Sequence, residues 1–171
     1  MAHKAEFVSG KKALLTAETC ARIDHWMAKF PPQHKRSALI QALLAAQVQN
    51  GGWINKDLIE AVADYMELPP VWAYEVTSFY SMFDREPVGH HKVNICTNIS
   101  CWLNGAEELV EHVESKLGIK QGETTPDQRI TLVVEEECLA GCCGAPMMVV
   151  DGHYHENLDK QKVDEILDGL D

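Results

Sequence analysis

The sequence lacks an apolar run that could cross a membrane or serve as a signal peptide. Its most apolar segment, ALIQALLAAQV at 38–48, is too short to span a bilayer and is interrupted by glutamine. The first fifteen residues contain lysines but no continuous apolar core followed by a cleavage-type site. We therefore expect a cytoplasmic protein that has no direct membrane contact of its own.

Positive charge is also scarce. The 171 residues include 26 acidic and 15 basic side chains, for a net charge of -11. Such a surface repels a phosphate backbone, so we expect no binding to nucleic acid.

Apolar residues make up 46% of the chain, which is enough to bury a core in one ordinary domain or two small ones without the support of disulfides.

Residues 1–83 have the apolar spacing of helices. Four stripes with steps of three and four residues predict four consecutive helices, separated by proline and glycine. Asn55 is expected to cap the third helix, and Pro70 to lie in the first turn of the fourth. The inward positions are Cys20, Ile23, Met27 and Phe30, then Leu39, Ile40, Leu43, Leu44, Gln47 and Val48, then Leu58, Ile59, Val62 and Met66, and finally Trp72, Val76, Phe79 and Phe83.

The pattern changes after DREPVGHH at 84–91, a segment with proline, glycine and charge that predicts a linker. Strands are expected at 92–96, 129–136 and 146–151, a hairpin return across Asp151–Gly152, and helices at 105–117 and about 159–168. Asn104 and Glu107 have the spacing of a capping box for the first of these helices. The sequence therefore predicts an α+β protein with a helical bundle at 1–83 and an α/β domain at 92–171.

Five of the six cysteines lie in the predicted α/β domain. The order strand, helix, strand between 92 and 136 predicts a crossover connection, which makes the two strands parallel. Cys96 closes the first strand and Cys138 follows the second, so both are expected at the carboxyl edge of the sheet. Cys101 and Cys142 are expected in the loops that leave these strands. The predicted fold thus brings four thiols to one place.

The spacing of the thiols favours a two-iron cluster over a single metal ion. The sequence has no C-x2-C, the spacing that is typical of zinc knuckles and of the thioredoxin redox motif. The wider pairs, Cys96-x4-Cys101 and Cys138-x3-Cys142, suit a [2Fe-2S] cluster, in which each iron takes two thiolates. Zinc, and free or disulfide-bonded thiols, stay as alternatives. Cys143 is interpreted as a bystander, although a ligand role for it in place of Cys142 is left open.

The surroundings of the thiols suit an anionic cluster. The helix that begins near Asn104 would turn its free N–H groups toward the site. Gly141 and Gly144 would let the backbone approach the sulfur atoms closely. Three glutamates at 135–137 add negative charge, which resists reduction, so we expect a low reduction potential.

Four blocks of sequence resemble one known family over nearly the whole chain. They are VTSFYSMFDREPVG at 76–89, CTNISCWLNGAEEL at 96–109, GIKQGETTPDQRITL at 118–132 and ECLAGCCGAPMM at 137–148. In this order and spacing they resemble the family of the E subunit of bacterial NADH-quinone oxidoreductase, respiratory complex I. The resemblance implies a helical bundle followed by a thioredoxin-like domain that carries one [2Fe-2S] cluster at the strand ends.

The resemblance also implies a role and a ligand set. In that family the protein docks on the partner subunit that binds FMN and NADH, beside other peripheral-arm subunits, at the inner face of the plasma membrane. Its cluster takes single electrons from the flavin, and the protein has no catalytic residues of its own. The family's ligands fall on Cys96, Cys101, Cys138 and Cys142. Family members usually have Cys-Leu-Gly-Ala-Cys in the second pair, where this chain has Cys-Leu-Ala-Gly-Cys, so the geometry of that loop is in question.

Other functions compatible with the sequence remain. The same type of subunit occurs in the diaphorase modules of NAD-linked hydrogenases and formate dehydrogenases. A zinc-stapled interaction module and a stand-alone ferredoxin-like carrier are further alternatives. The chain contains no GxGxxG or P-loop pattern, so FMN and NADH are expected on the partner subunit and not on this chain.

Overall fold

The computed structural model describes residues 10–135 and 138–171. The chain forms two compact units, the first ending at Pro87 and the second running from Val88 to Asp171. The second unit begins inside the segment 84–91 that the sequence assigned to a linker, because the backbone N–H groups of His90 and His91 bond to the carbonyl oxygens of residues 128 and 129. None of the described helices is long and apolar enough to span a membrane.

The first unit is helical, as the sequence predicts. Its α-helices are α1 (Ala17–Met27), α2 (Leu39–Gln49), α3 (Lys56–Tyr65) and α4 (Pro70–Phe79), with short 3-10 segments at Lys11–Leu14 and Pro32–Ala38. The Asn55 side chain caps α3 by accepting a hydrogen bond from the backbone N–H of Leu58, at 2.9 Å. Ile23, Leu43 and Ile59 are fully buried in the core that the helices share.

Two of the predicted inward positions are wrong. Val48, near the end of α2, is 62% exposed, and the second error lies in α4. The stripe through α4 placed both Phe79 and Phe83 inward, but Phe79 is 81% exposed whereas Phe83 is buried. The helix ends at Phe79, and Tyr80 has an extended backbone with φ -92° and ψ 124°. Helical spacing therefore does not continue from Phe79 to Phe83, and the two rings point in different directions.

The second unit is built on a four-stranded sheet. Its strands are β1 (His91–Cys96), β2 (Ile130–Glu135), β3 (Met148–Val150) and β4 (His153–His155), in the order β2-β1-β3-β4. β1 and β2 are parallel, as the crossover predicts, whereas β3 is antiparallel to both β1 and β4. Apolar side chains of the strands pack with those of α6 (Ala106–Leu117) and α7 (Lys160–Asp168) into one core. The predicted α+β class is confirmed.

The predicted capping box is wrong, because an additional helix precedes α6. Helix α5 (Ile99–Leu103) begins after Asn98, whose side chain accepts a hydrogen bond from the N–H of Ile99 at 2.9 Å. Asn104 ends α5, and its side-chain amide donates to the carbonyl oxygen of Ser100 at 2.7 Å. Gly105, at φ 89° in the left-handed region that glycine tolerates, then starts α6. Residue 101 therefore lies in a helix and not in a loop.

Candidate metal centre

The fold brings the four predicted ligand cysteines to one edge of the sheet. Cys96 is the last residue of β1, Cys138 follows the end of β2, Cys101 lies in α5, and Cys142 opens a 3-10 turn that ends at Gly144. The Sγ atoms of Cys138 and Cys142 are 3.2 Å apart. The thiol of Cys96 is within hydrogen-bonding reach of the thiols of both Cys101 and Cys138. Residues from three separate parts of the chain thus form one thiol cluster.

The cluster has a buried pair and an exposed pair. Cys96 and Cys101 are each 1% exposed and pack against Ala106 and Met147, whereas Cys138 and Cys142 are exposed. Water is therefore kept from the inner pair, and the outer pair faces solvent. Such a partly exposed arrangement lets a metal or an electron enter from one side while the other side stays apolar.

The thiols differ in acidity for identifiable reasons. Burial raises the pKa of Cys101 to about 11, and a hydrogen bond with Cys96 adds to that shift. The pKa of Cys138 is lowered, first by a hydrogen bond from the Cys142 thiol and second by the backbone N–H of Ala140. The pKa of Cys142 is raised in turn, because its proton is held between the two sulfur atoms. Cys138 is thus better prepared than Cys142 or Cys101 to act as a thiolate toward a metal.

The extra cysteine lies beside this cluster. Cys143 is exposed in the same 3-10 turn as Cys142, and it affects the pKa of Cys142 by charge repulsion. Cys20 belongs to the first unit, where it packs against the helical core, as its position in the helical stripe predicts. All six cysteines are free in the structure.

The loop between Cys138 and Cys142 shows the effect of the Ala-Gly order. Ala140 is at φ 63°, a left-handed conformation that costs alanine but not glycine about 1–2 kcal/mol. Gly141 is at φ -102°, where any residue fits, although a Cβ there would lie 2.9 Å from the terminal methyl carbon of Met147. Within this loop, the N–H of Ala140 is directed at sulfur, 3.3 Å from Sγ of Cys138.

Gly144 makes a close contact with another segment of the chain. A Cβ at this position would lie 2.5 Å from the Cβ of Glu156, whereas an approach of its backbone to sulfur stays a prediction. The Gly144 carbonyl oxygen accepts a hydrogen bond from the N–H of Asn157 at 2.7 Å. Gly144 therefore allows the turn at Cys142–Gly144 to pack against the segment that follows β4.

The expected influence of the glutamates at 135–137 stays a prediction. Glu136 and Glu137 lie outside the described residues, and the side chain of Glu135 is likewise outside what the structure describes.

The donor set fits a two-iron cluster. Within residues 10–135 and 138–171, no three histidine, cysteine or acidic side chains are arranged to hold one metal ion together. The four thiols come from two pairs, one from β1 and α5 and one from the loop after β2, and Cys96 lies within reach of Cys138 of the other pair. A structural zinc site places four donors around one ion, whereas a [2Fe-2S] cluster takes two thiolates on each of two irons.

Comparison with known proteins gives consistent matches. The model of the thioredoxin-like [2Fe-2S] ferredoxin family matches residues 23–171. The chain is 43% identical to the E subunit of the NADH-quinone oxidoreductase of Rickettsia typhi over 162 residues, which cover 95% of this chain and 91% of that one. It is 43% identical to the mitochondrial NADH dehydrogenase [ubiquinone] flavoprotein 2 of Dictyostelium discoideum over 155 residues, 91% of this chain and 62% of that protein.

A solved structure has the same fold. The chain aligns with an NAD+-reducing [NiFe]-hydrogenase in the air-oxidized state with a TM-score of 0.63 and 23% identity. The alignment covers 74% of this chain but only 22% of the hydrogenase chain, so the aligned part of this chain corresponds to about a fifth of that chain.

Replacing Ala140 by glycine is expected to stabilise the second unit by roughly 1 kcal/mol, because the left-handed backbone no longer strains a Cβ. Native-state hydrogen exchange of the β1 amides measures this change. Ala145→Gly is the matched control, since Ala145 has an ordinary φ of -67° and should lose stability when replaced. Equal destabilisation by both substitutions would contradict the strain at Ala140.

In the metal-free chain, we expect iodoacetamide to modify Cys138 faster than Cys142 near neutral pH, and Cys101 to react most slowly. The order follows from the lowered pKa of Cys138, the raised pKa of Cys142 and the burial of Cys101. Raising the pH should bring the modification rates of Cys138 and Cys142 closer together, because the less acidic thiol, Cys142, then ionises as well. Peptide mass spectrometry over time gives the rates, and equal rates at neutral pH for the two outer thiols would contradict this order.

Proposed function

Because the chain belongs to the thioredoxin-like [2Fe-2S] ferredoxin family, we propose that it is the [2Fe-2S] electron-transfer subunit of an NADH-quinone oxidoreductase, the respiratory complex I. The observation that carries this proposal is the thiol cluster at the carboxyl edge of the parallel strands. Support comes from relatives named as the E subunit of that enzyme, which match this chain over almost their whole length.

We assign the four cluster ligands to Cys96, Cys101, Cys138 and Cys142. Each pair supplies two thiolates, which is what a two-iron cluster needs. The bound cluster supplies a one-electron carrier, a chemistry that no side chain of this chain offers. The chain is therefore an oxidoreductase subunit without catalytic residues of its own.

The protein's own contribution is to hold and tune the sulfur ligands. Cys96 and Cys101 are positioned by a strand end and a helix, and their burial excludes water from the inner side. Cys138 is held by the N–H of Ala140. Burial and hydrogen bonds to sulfur are two of the means by which proteins set the potential of such a site.

Partner subunits follow from this role. The relatives are named as one component of a larger oxidoreductase. We propose that the donor is the subunit that binds FMN and NADH, that other peripheral-arm subunits lie beside it, and that the chain is held at the cytoplasmic face of the plasma membrane through the complex. The helical bundle at 1–83, the linker at 84–91 and the thioredoxin-like domain at 92–171 stay our proposed domain division.

The alternative is the equivalent diaphorase subunit of an NAD-linked hydrogenase or formate dehydrogenase. The fold of the NAD+-reducing hydrogenase chain favours it, but at 23% identity that likeness concerns the fold alone. The 43% identity to a relative from an NADH-quinone oxidoreductase favours the respiratory complex.

Iron and sulfide analysis of the purified chain tests the ligand set. We expect about two irons and two sulfides per chain and a loss of most of both in each of four single variants, Cys96→Ser, Cys101→Ser, Cys138→Ser and Cys142→Ser. Cys143→Ser and Cys20→Ser are the matched controls and should keep the cluster. Zinc in place of iron would favour the interaction module, and cluster loss in Cys143→Ser but not in Cys142→Ser would move the fourth ligand to residue 143.

Affinity purification from the native host distinguishes the parent enzymes. We expect the tagged chain to bring down a flavoprotein together with membrane subunits of a quinone-reducing complex. A nickel-iron or molybdenum subunit in their place would support the hydrogenase or formate dehydrogenase alternative. Recovery of a coloured chain without any flavoprotein would instead indicate a stand-alone carrier.

A further inference from the structure

One peptide group next to the exposed ligand pair is held by hydrogen bonds at both ends. The phenol of Tyr154 donates to the carbonyl oxygen of Leu139 at 2.8 Å. The N–H at the other end of the same peptide, that of Ala140, donates to Sγ of Cys138 at 3.3 Å. Tyr154, the Leu139–Ala140 peptide and the sulfur of Cys138 therefore form one hydrogen-bonded chain.

The position of the Tyr154 hydroxyl is set by the sheet and not by the loop. Tyr154 lies in β4 opposite Val149 of β3, and β3 is paired in turn with β1. The loop that carries Leu139 belongs to none of the strands. A group anchored in the sheet thus reaches across to a segment whose own backbone has fewer restraints.

The peptide needs this support because its conformation is unfavourable for the residue it contains. Ala140 is at φ 63°, and an alanine released from tertiary contacts would leave the left-handed region. Rotation of the peptide would turn the N–H away from Cys138. The hydrogen bond from Tyr154 opposes that rotation at the carbonyl end.

The hydrogen bonds also reinforce each other electronically. A donor at the carbonyl oxygen polarises a peptide and makes its N–H a stronger donor. An N–H directed at a ligand sulfur favours the more negatively charged, reduced state, and such bonds are among the determinants of the potential of an iron–sulfur site. Loss of the Tyr154 hydroxyl is therefore expected to weaken the hydrogen bond that the N–H of Ala140 donates to the sulfur of Cys138.

We propose that Tyr154 is a positioning residue that raises the reduction potential of the [2Fe-2S] site by holding and polarising the Leu139–Ala140 peptide against Cys138. The inference rests on the proposed function in one respect, the assignment of Cys138 as a ligand. No short-range motif links residues 139 and 154, which is why sequence patterns do not indicate this role.

The first test is a redox titration of the full chain with its cluster, followed by electron paramagnetic resonance of the reduced state. Tyr154→Phe removes the hydroxyl and keeps the ring, so we expect an unchanged iron and sulfide content and a shift of the midpoint potential to a lower value. Tyr74→Phe is the matched control, because its hydroxyl donates to Glu60 in the helical unit and its loss should leave the potential unchanged.

The second test strengthens the hydrogen bond instead of removing it. Replacing all tyrosines by 3-fluorotyrosine makes each phenol a stronger donor, and we expect the midpoint potential to rise at a pH where the phenol stays protonated. The same substitution in the Tyr154→Phe chain should have no effect, since the other three tyrosines, Tyr65, Tyr74 and Tyr80, are in the first unit.

The outcomes separate this inference from the function on which it rests. An unchanged potential in Tyr154→Phe overturns the tuning role and leaves the proposed function intact. If Tyr154→Phe cannot retain a cluster, the fluorotyrosine chain decides, and a potential equal to that of the ordinary chain overturns the inference. A natural chain that binds zinc or no metal would overturn the proposed function and this inference together.

Discussion

The parallel pairing of β1 and β2 is the constraint on which the metal centre depends. The register runs from His91 opposite Ile130 to Cys96 opposite Glu135, so the two strands end together. A strand of six residues is roughly 20 Å long, and an antiparallel β2 would have left Cys138 at the far end of the sheet. The helical crossover between the strands excludes that arrangement, because it returns the chain to the end of the sheet where β1 began before β2 starts. Thiols from β1 and from the loop after β2 can therefore meet, although many residues separate them in sequence.

Gathering four thiols has an electrostatic cost that a metal cluster offsets. Two unit negative charges 4 Å apart repel each other by about 4 kcal/mol at an effective dielectric constant of 20, so the metal-free site cannot hold four thiolates. In the metal-free site, burial raises the pKa of Cys101, and the hydrogen bond between Cys138 and Cys142 lowers the pKa of Cys138 and raises that of Cys142, so protons are retained on Cys101 and Cys142. Binding of iron must release these protons, which couples assembly of the site to pH. The burial of one pair and the exposure of the other then give the site an apolar inner side and an outer side open to solvent.

The sequence predicted the elements that short-range signals specify. Proline and glycine mark the ends of the helices in the first unit, Asn55 caps α3, and the order of strand and helix around Cys96 specifies a parallel pair. Two of the errors lie where a pattern was extended past a break in the backbone. Phe79 was assigned inward on a helix that ends at that residue, and Asn104 was assigned as the cap of one helix when it ends another. The cap that does start α5, Asn98, has the residue type that commonly begins helices and could have indicated it.

By itself the sequence determined which thiols are available, their spacing, and the helical and strand segments that bring them near one another, because residue type and periodicity act over a few neighbouring residues. Only the tertiary structure decided which thiols are buried, which N–H group is directed at sulfur, and that a tyrosine in β4 bonds to the loop after β2. These features depend on strand register and on contacts between segments that are distant in sequence. The Cys-Leu-Ala-Gly-Cys loop shows the difference. Its residue types are known from the sequence alone. The left-handed backbone of Ala140 and the hydrogen bond from Tyr154 exist only because the sheet places β4 beside that loop.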